Sequence, residues 1–467
     1  MATFYQPDLL YHDGQFKSGS GLLVGDDGRV ASIANKPPAD DVKIVSMPGK
    51  ILLPGFVNAH SHTFQRLIRG RSENRGINGD NFWTWRDAMY KAAASLNAED
   101  LYDVSRMAFL EMVLAGTTTV GEFHYLHRAQ NGRAYEDPNL LSKTVIAAAR
   151  SVGIRIVLLR VAYFRAGYEL SPDAGQARFY ESPAEYLENT DALAKEIGNE
   201  SKEVSIGVAP HSIRAVPLKN LSKIVEWATA RHLPIHMHVA EQTAEIDACV
   251  KEYRVSPVAL LADHRLLSSK FTFVHAIHLT SAELDALAKA NAIICSCPTT
   301  ERNLGDGIVA AHGAAARGIR FAFGSDSQVQ IDPLEDAREL EYHLRLIQQK
   351  RVILDQIGKV DLSKRLFDYA TMGGAESLGI DSGKFETGKL ADFFTIDRND
   401  VSIAGAAEED LLPSIVFSLS RAAIHDVAVG GRLIVRDSVH QDQQEIIARY
   451  RDLHQRVWTH QATRSFA

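Results

Sequence analysis

Eight short apolar runs, alternating with stretches of helical periodicity, constrain the fold of this chain more than any other feature. One leads to His60, and the others cover residues 117–124, 155–161, 204–209, 234–241, 271–275, 292–297 and 321–326. Strand-like runs alternating with helices are the pattern of repeated βα units. Eight such units close a (β/α)8 TIM barrel, whose active site is expected at the C-terminal ends of the strands. One intervening helix is expected over about residues 217–231, where Leu218, Leu221, Val225 and Ala228 share a face. Another is expected from Asn97, a suitable N-cap, to a stop at Gly116.

The two ends of the chain differ from this middle. Leu22, Leu23 and Val24 are apolar, Asp26-Asp27-Gly28 signals a turn, and the apolar pattern resumes through Ile33. A similar texture returns at 388–396 and 427–435. Residues 1–55 and 385–467 are therefore expected to form the two parts of a small β-sandwich domain beside a catalytic barrel of residues 56–384. The stretch from Arg66 to Ser95 is too long for an ordinary βα loop and is expected to fold over the barrel mouth.

A chain of 467 residues accommodates this plan, and 45% hydrophobic with 23% charged residues permits a large core. The formal net charge of -7, with no basic cluster, argues against a nucleic-acid partner. Three cysteines, Cys249, Cys295 and Cys297, are too few for a disulfide framework and read as buried thiols of a cytoplasmic protein. Residues 1–10 lack a basic region followed by a long apolar stretch, so no secretory leader is expected. No apolar run approaches about 20 residues, so no membrane span is expected. A homodimer is compatible with the sequence.

Polar residues stand where several of the runs end. His60 and His62 are spaced i, i+2, so on a strand both imidazoles point the same way and can meet one cation. His236 and His238 share a face of the fifth run. The residue nearer the strand end should reach a metal, which assigns His238 and leaves His236 as a structural histidine. His275 ends the sixth run and Asp326 the eighth, while Glu241 lies three residues beyond His238. Glu241 also reads as a solvated loop carboxylate, and Asp326 as a cap for the next helix.

Imidazole and carboxylate ligands suit Zn²⁺, with Fe²⁺ as a competitor. Such a cation lowers the pKa of a bound water. Hydrolysis further needs one group to take the water proton, for which His275 and Asp326 are suited, and one to protonate a departing nitrogen, for which Glu241 is suited. Two-metal barrels of this kind commonly bridge their ions with a modified lysine on the fourth strand. The fourth run, Val204-Ser205-Ile206-Gly207-Val208-Ala209, has none. One metal per chain follows, favouring deaminase-type chemistry over cyclic-amide hydrolysis.

The segment Pro54-Gly55-Phe56-Val57-Asn58-Ala59-His60-Ser61-His62, the turn Gly388-Lys389-Leu390-Ala391-Asp392 and the strands at 427–435 resemble the amidohydrolase superfamily over nearly the whole chain. Five further segments resemble, within it, the formimidoylglutamate deiminase family. They are His60-Ser61-His62-Thr63-Phe64-Gln65-Arg66, Phe82-Trp83-Thr84-Trp85-Arg86, Glu122-Phe123-His124-Tyr125, His211-Ser212-Ile213-Arg214-Ala215-Val216 and Asn303-Leu304-Gly305-Asp306-Gly307. The resemblance implies a barrel with a small β-sandwich, one zinc, and conversion of N-formimidoyl-L-glutamate to the N-formyl compound and ammonia. Carried over by motif, the ligands would be His60, His62, His238 and Asp326, and the acid/base groups His275 and Glu241. Gln65, Arg86, Tyr125, His211 and Arg214 would hold the glutamate portion. Where that family is expected to have a histidine after Ser325-Asp326-Ser327, this chain has Gln328, which hydrogen-bonds but cannot become cationic and so bears on fine substrate preference.

Read from residues alone, Arg86 in the mouth-covering stretch and Arg214 after the fourth run can approach the cavity and pair the carboxylates of a small dicarboxylate. Two surface arginines are the competing reading. Trp83 and Trp85 either pack the lid or line the pocket. A deaminase acting on a purine or other heterocycle is the alternative enzyme, but it would not need two arginines aimed at separate carboxylates. A non-catalytic scaffold would be expected to have lost such residues, whereas His60, His62, His238, His275, Glu241 and Asp326 are all present.

Overall fold

The computed structural model describes residues 1–37, 42–73, 82–168, 170–171, 174–198, 203–355 and 360–462. In it the eight apolar runs become one parallel sheet whose strands pair in sequence order. They are Phe56–Ser61, Thr117–His124, Arg155–Ala162, Val204–Pro210, Ile235–Val239, Phe271–His275, Ile293–Ser296 and Arg320–Phe323. The edge strands meet at a bridge between Ser61 and Asp326. There the His62 N–H donates to the Asp326 carbonyl (3.1 Å) and the Asp326 N–H to the His60 carbonyl (3.0 Å). Barrel closure thus fixes the backbone of three of the expected ligands.

The fifth and eighth strands end earlier than the apolar pattern suggested, at Val239 and Phe323. Ala240 (φ 50°), His275 (φ 68°), Ala276 (φ 50°), Asp326 (φ 44°) and Gln328 (φ 63°) all adopt the left-handed region at this same face. For residues with a Cβ such conformations cost of order 1–3 kcal/mol each and persist only where the surroundings enforce them. Glu241 and Asp326 consequently stand on turns just beyond their strands. At the opposite end, Gly373 and Gly374 let the chain plug the barrel floor. A Cβ on either would collide with the carbonyl oxygens of Phe321 and Val57, respectively.

The helix after the fourth strand is Leu218–Thr229, led by Pro217, and the one after the first is Ala98–Leu114. Asn97 and Asp100 form a reciprocal capping box at the start of the latter. The mouth-covering stretch yields the helix Phe82–Ser95, while its residues 74–81 lie outside the described part.

Both chain ends join one nine-stranded sheet. Thr3–His12 pairs with Lys43–Pro54, which in turn pairs with the late strand Phe393–Asp397. Tyr5, Leu22, Val24, Leu52 and Phe393 belong to its own buried core. The buried ion pair Arg155–Asp392 (3.1 Å) fastens the sheet to the third barrel strand. Residues 385–467 also carry two helices that the sequence reading had not anticipated, Glu408–Ser418 and Gln443–Ala462. The second buries Ile446, Tyr450, Leu453 and Val457, a stripe at helical spacing, and pairs Arg449 with Asp103 (2.8 Å) on Ala98–Leu114. All three cysteines are buried and free. Among the described residues no helix is long and apolar enough to cross a membrane.

Candidate metal centre and active site

At the C-terminal face of the barrel, three imidazoles and a carboxylate converge. His60 Nε2 lies 3.1 Å from His62 Nε2 and 3.1 Å from His238 Nε2. Asp326 Oδ1 lies 3.3 Å from His60 Nε2 and 3.2 Å from His62 Nε2. One ligand atom from each residue falls within 4.8 Å of all the others, and the four residues are buried. A tetrahedron with bonds of about 2.0–2.1 Å has edges of about 3.3–3.4 Å, so the spacing fits one divalent cation.

The outer nitrogens are anchored in the way ligating histidines require. His62 Nδ1 donates to the Phe123 carbonyl (2.9 Å) and His238 Nδ1 to the His211 carbonyl (3.2 Å). Both rings therefore turn an Nε2 lone pair toward the centre. Burial lowers His60 to about 3 and takes His238 well below its ordinary pKa, so these rings are neutral donors. Burial opposes the Asp326 carboxylate, but the adjoining His60 and His62 rings outweigh it and hold its pKa well below the usual range. His236, one layer deeper in the barrel, donates from Nε2 to the Ser377 carbonyl (2.9 Å) and stays out of the cluster.

Beside the cluster stand His275 and Glu241. His275 Nε2 lies 3.7 Å from Glu241 Oε1 and 3.8 Å from Asp326 Oδ2. Burial raises the pKa of Glu241, which favours a carboxyl able to carry a proton. Burial works against a charge on His275, yet the surrounding Glu241, Glu301 and Asp326 carboxylates take its pKa well above the ordinary value; a divalent cation held by Asp326 would oppose that charge and leave the ring able to accept a proton.

These groups open onto a small cavity lined by His62, Gln65, Arg86, Tyr125, His211, Arg214, His238, Glu241, His275 and Asp326. Every site residue singled out in the sequence except His60 reaches this one surface, and His60 lies fully buried beneath it. Gln65 Nε2 donates to Tyr125 OH (3.0 Å), whereas Gln65 Oε1 is buried with no partner among the described residues. The Arg86 guanidinium lies 5.4 Å from the Tyr90 ring centroid. Burial, then Arg214 and His62, take His211 well below its ordinary pKa.

Trp85 lines the cavity; the side chain of Trp83 lies outside the described part. Sequence reasoning missed Met89, Tyr90, Tyr163 and Phe179, which with Leu304 complete the wall. Glu122 accepts from Ser61 Oγ (2.6 Å) and from the Thr63 N–H (2.8 Å), bracing the backbone that carries His60 and His62. Gln328 does not line the cavity. It is fully buried, donating to Ser61 Oγ (2.8 Å) and accepting from Ser325 Oγ (2.9 Å), so it braces the barrel seam and does not face a substrate.

A parallel eight-stranded barrel with a buried histidine and aspartate cluster at its strand ends, able to hold a metal ion, defines the class: a barrel hydrolase. The chain belongs to the amidohydrolase family, whose pattern matches residues 51–434. It is 37% identical to the formimidoylglutamate deiminase of Pseudomonas aeruginosa, over 90% of this chain and 91% of that one. It is 26% identical to the 5-methylthioadenosine/S-adenosylhomocysteine deaminase of Thermodesulfovibrio yellowstonii, over 92% of each. The crystal structure of an amidohydrolase from Brucella melitensis superposes with a TM-score of 0.88 at 31% identity, covering 97% of this chain and 99% of that one. The chain is thus an enzyme of the class that hydrolyses carbon–nitrogen bonds.

Proposed function

We propose that the enzyme hydrolyses N-formimidoyl-L-glutamate to N-formyl-L-glutamate and ammonia, a step of histidine degradation. The observation that carries the reading is the presence of Arg86 and Arg214 in one small cavity with the His60/His62/His238/Asp326 cluster. The similarity to the Pseudomonas aeruginosa deiminase supports it.

In this reading His60, His62, His238 and Asp326 hold one zinc, with iron as the alternative. The bound cation supplies Lewis-acid activation of water near neutral pH. His275 and Asp326 take the water proton, and Glu241 delivers a proton to the departing nitrogen. Water oxygen bonds to the imino carbon, the carbon–nitrogen bond breaks, and the nitrogen leaves as ammonia. Arg86 and Arg214 each pair a carboxylate of the glutamate portion, which Tyr125 and His211 help hold. The unpartnered Gln65 Oε1 accepts an N–H of the substrate.

A second reading has one observation in its favour. The aromatic wall of Trp85, Tyr90, Tyr163 and Phe179 would suit the flat face of a purine or other heterocycle. Ammonia release from N-formimidoyl-L-glutamate, measured beside guanine, adenosine and N-formimidoyl-L-aspartate, decides between them. The linear dicarboxylate is expected to be turned over fastest; preferential turnover of either purine compound would overturn the deiminase reading.

A further inference from the structure

We infer that Glu301 is the positioning residue that sets the tautomer and aim of His275. The inference rests on the acid/base role proposed above for His275. Glu301 is buried in the first turn of Pro298–Leu304 and does not line the cavity. Its Oε1 accepts from the Cys297 backbone N–H (2.7 Å) and its Oε2 from Ser296 Oγ (3.0 Å). His275 Nδ1 lies 3.3 Å from that same Oε1.

Donors already converge on the Glu301 carboxyl, the arrangement of an ionised acceptor, so Nδ1–H of His275 donates as well. The proton on Nδ1 then stays in place whatever the charge of the ring. Nε2 becomes the nitrogen that exchanges a proton, and it faces the gap between Glu241 and Asp326. A carboxylate on the far side of a working imidazole selects tautomer and ring direction in this way. The left-handed backbone of His275 gives its side chain no regular strand direction, which makes an external hold the more necessary.

His275, Cys297 and Glu301 could instead be taken as a second metal site, since one ligand atom from each lies within 4.8 Å of the others. The contacts argue otherwise. Glu301 is engaged by the Cys297 N–H and the Ser296 hydroxyl, and burial holds the Cys297 thiol well above its ordinary pKa, against the thiolate a metal needs.

The test compares the parent with Glu301→Ala and Glu301→Gln by kinetics, metal content and ¹⁵N spectra of labelled histidine, with His275 assigned through its loss in His275→Asn. Glu301→Ala is expected to lower kcat on the order of 10–100-fold while KM and one cation per chain are kept. The neutral His275 ring should change from Nδ1–H to a mixture of tautomers. Glu301→Gln keeps an acceptor for both Cys297 and His275 and should restore most of kcat and the Nδ1–H form. Unchanged kcat in Glu301→Ala would overturn the inference, as would a loss of kcat with the tautomer unaltered. A second cation in the parent that both variants lose would do the same. Should Glu301→Ala not fold, an Nε2–H tautomer in the parent alone refutes it. Activity is read on whichever substrate the parent hydrolyses, so a parent inactive on N-formimidoyl-L-glutamate counts against the proposed function only.

Discussion

Glu241 and His238 stand three residues apart, yet the proposed mechanism gives them different work. His238 Nε2 sits in the ligand cluster, whereas Glu241 faces His275 with a carboxyl whose pKa burial raises. Glu241→Gln is therefore expected to keep its metal and lose on the order of 10²–10⁴ in kcat, the size of a general acid–base contribution. His238→Ala should lose metal affinity. Kinetics with elemental analysis checks both, and a metal-free or fully active Glu241→Gln would show the roles to be misassigned. The convergence of His60, His62, His275 and Asp326 on one face was legible because each lies at or just beyond the end of an apolar run. Glu301 was not legible. In sequence it is an acidic residue in a first helical turn after Pro298, indistinguishable from an ordinary cap, and only the fold brings it to His275.

The third barrel strand shows how an element is fixed by a group no periodicity predicts. Arg160 is fully buried, yet it forms a two-pronged pair with Glu181, at 2.6 Å and 2.8 Å, just ahead of the helix Pro183–Gly198. Asn189 of that helix donates to the same carboxylate (2.6 Å). Burial alone would raise Glu181, but His127, Arg160 and Asn189 outweigh it and lower its pKa from 4.5 to about 2. Because the folded value is depressed, the pair's stabilisation is complete above the unfolded pKa and is lost as pH falls from there toward the folded value. A shift of this size corresponds to about 3 kcal/mol at neutral pH. Urea unfolding of the parent and Glu181→Gln should therefore differ by roughly that amount at about pH 6 and progressively less below about pH 4.5. A difference constant across this range would refute the linkage. The barrel strands and the cap at Asn97 were readable because apolar period and turn chemistry agree there. The helix Gln443–Ala462 was not legible because Ile446, Tyr450, Leu453 and Val457 are spread through a mostly polar stretch, and it is held by Asp100 and Asp103, far away in sequence.

For the whole molecule, the core extends well beyond the cluster at the barrel mouth: Phe56, Phe109, Phe271, Phe273 and Phe321 are fully buried. One divalent cation per chain is expected by elemental analysis, and chelation should abolish turnover while leaving the far-ultraviolet circular dichroism largely intact. A requirement for two equivalents would overturn the mononuclear site. The net charge bears on substrate choice. A protein of formal charge -7 repels a dianion at long range, so recognition of a dicarboxylate must come from cations held close to it. Arg86 and Arg214 are the arginines lining the cavity among the described residues. The formimidoyl group is small, so binding energy from the carboxylates must supply much of the selectivity and hold the imino carbon in place. A charge-assisted hydrogen bond contributes about 1.5–3 kcal/mol, so Arg86→Met and Arg214→Met should each lose about tenfold to a few hundredfold in kcat/KM, part of it in kcat. Both variants should still fold and bind metal, because neither arginine belongs to the ligand cluster. If steady-state kinetics found kcat/KM on N-formimidoyl-L-glutamate unchanged in both, the arginines would not be carboxylate anchors, and the aromatic wall would then favour a heterocyclic substrate.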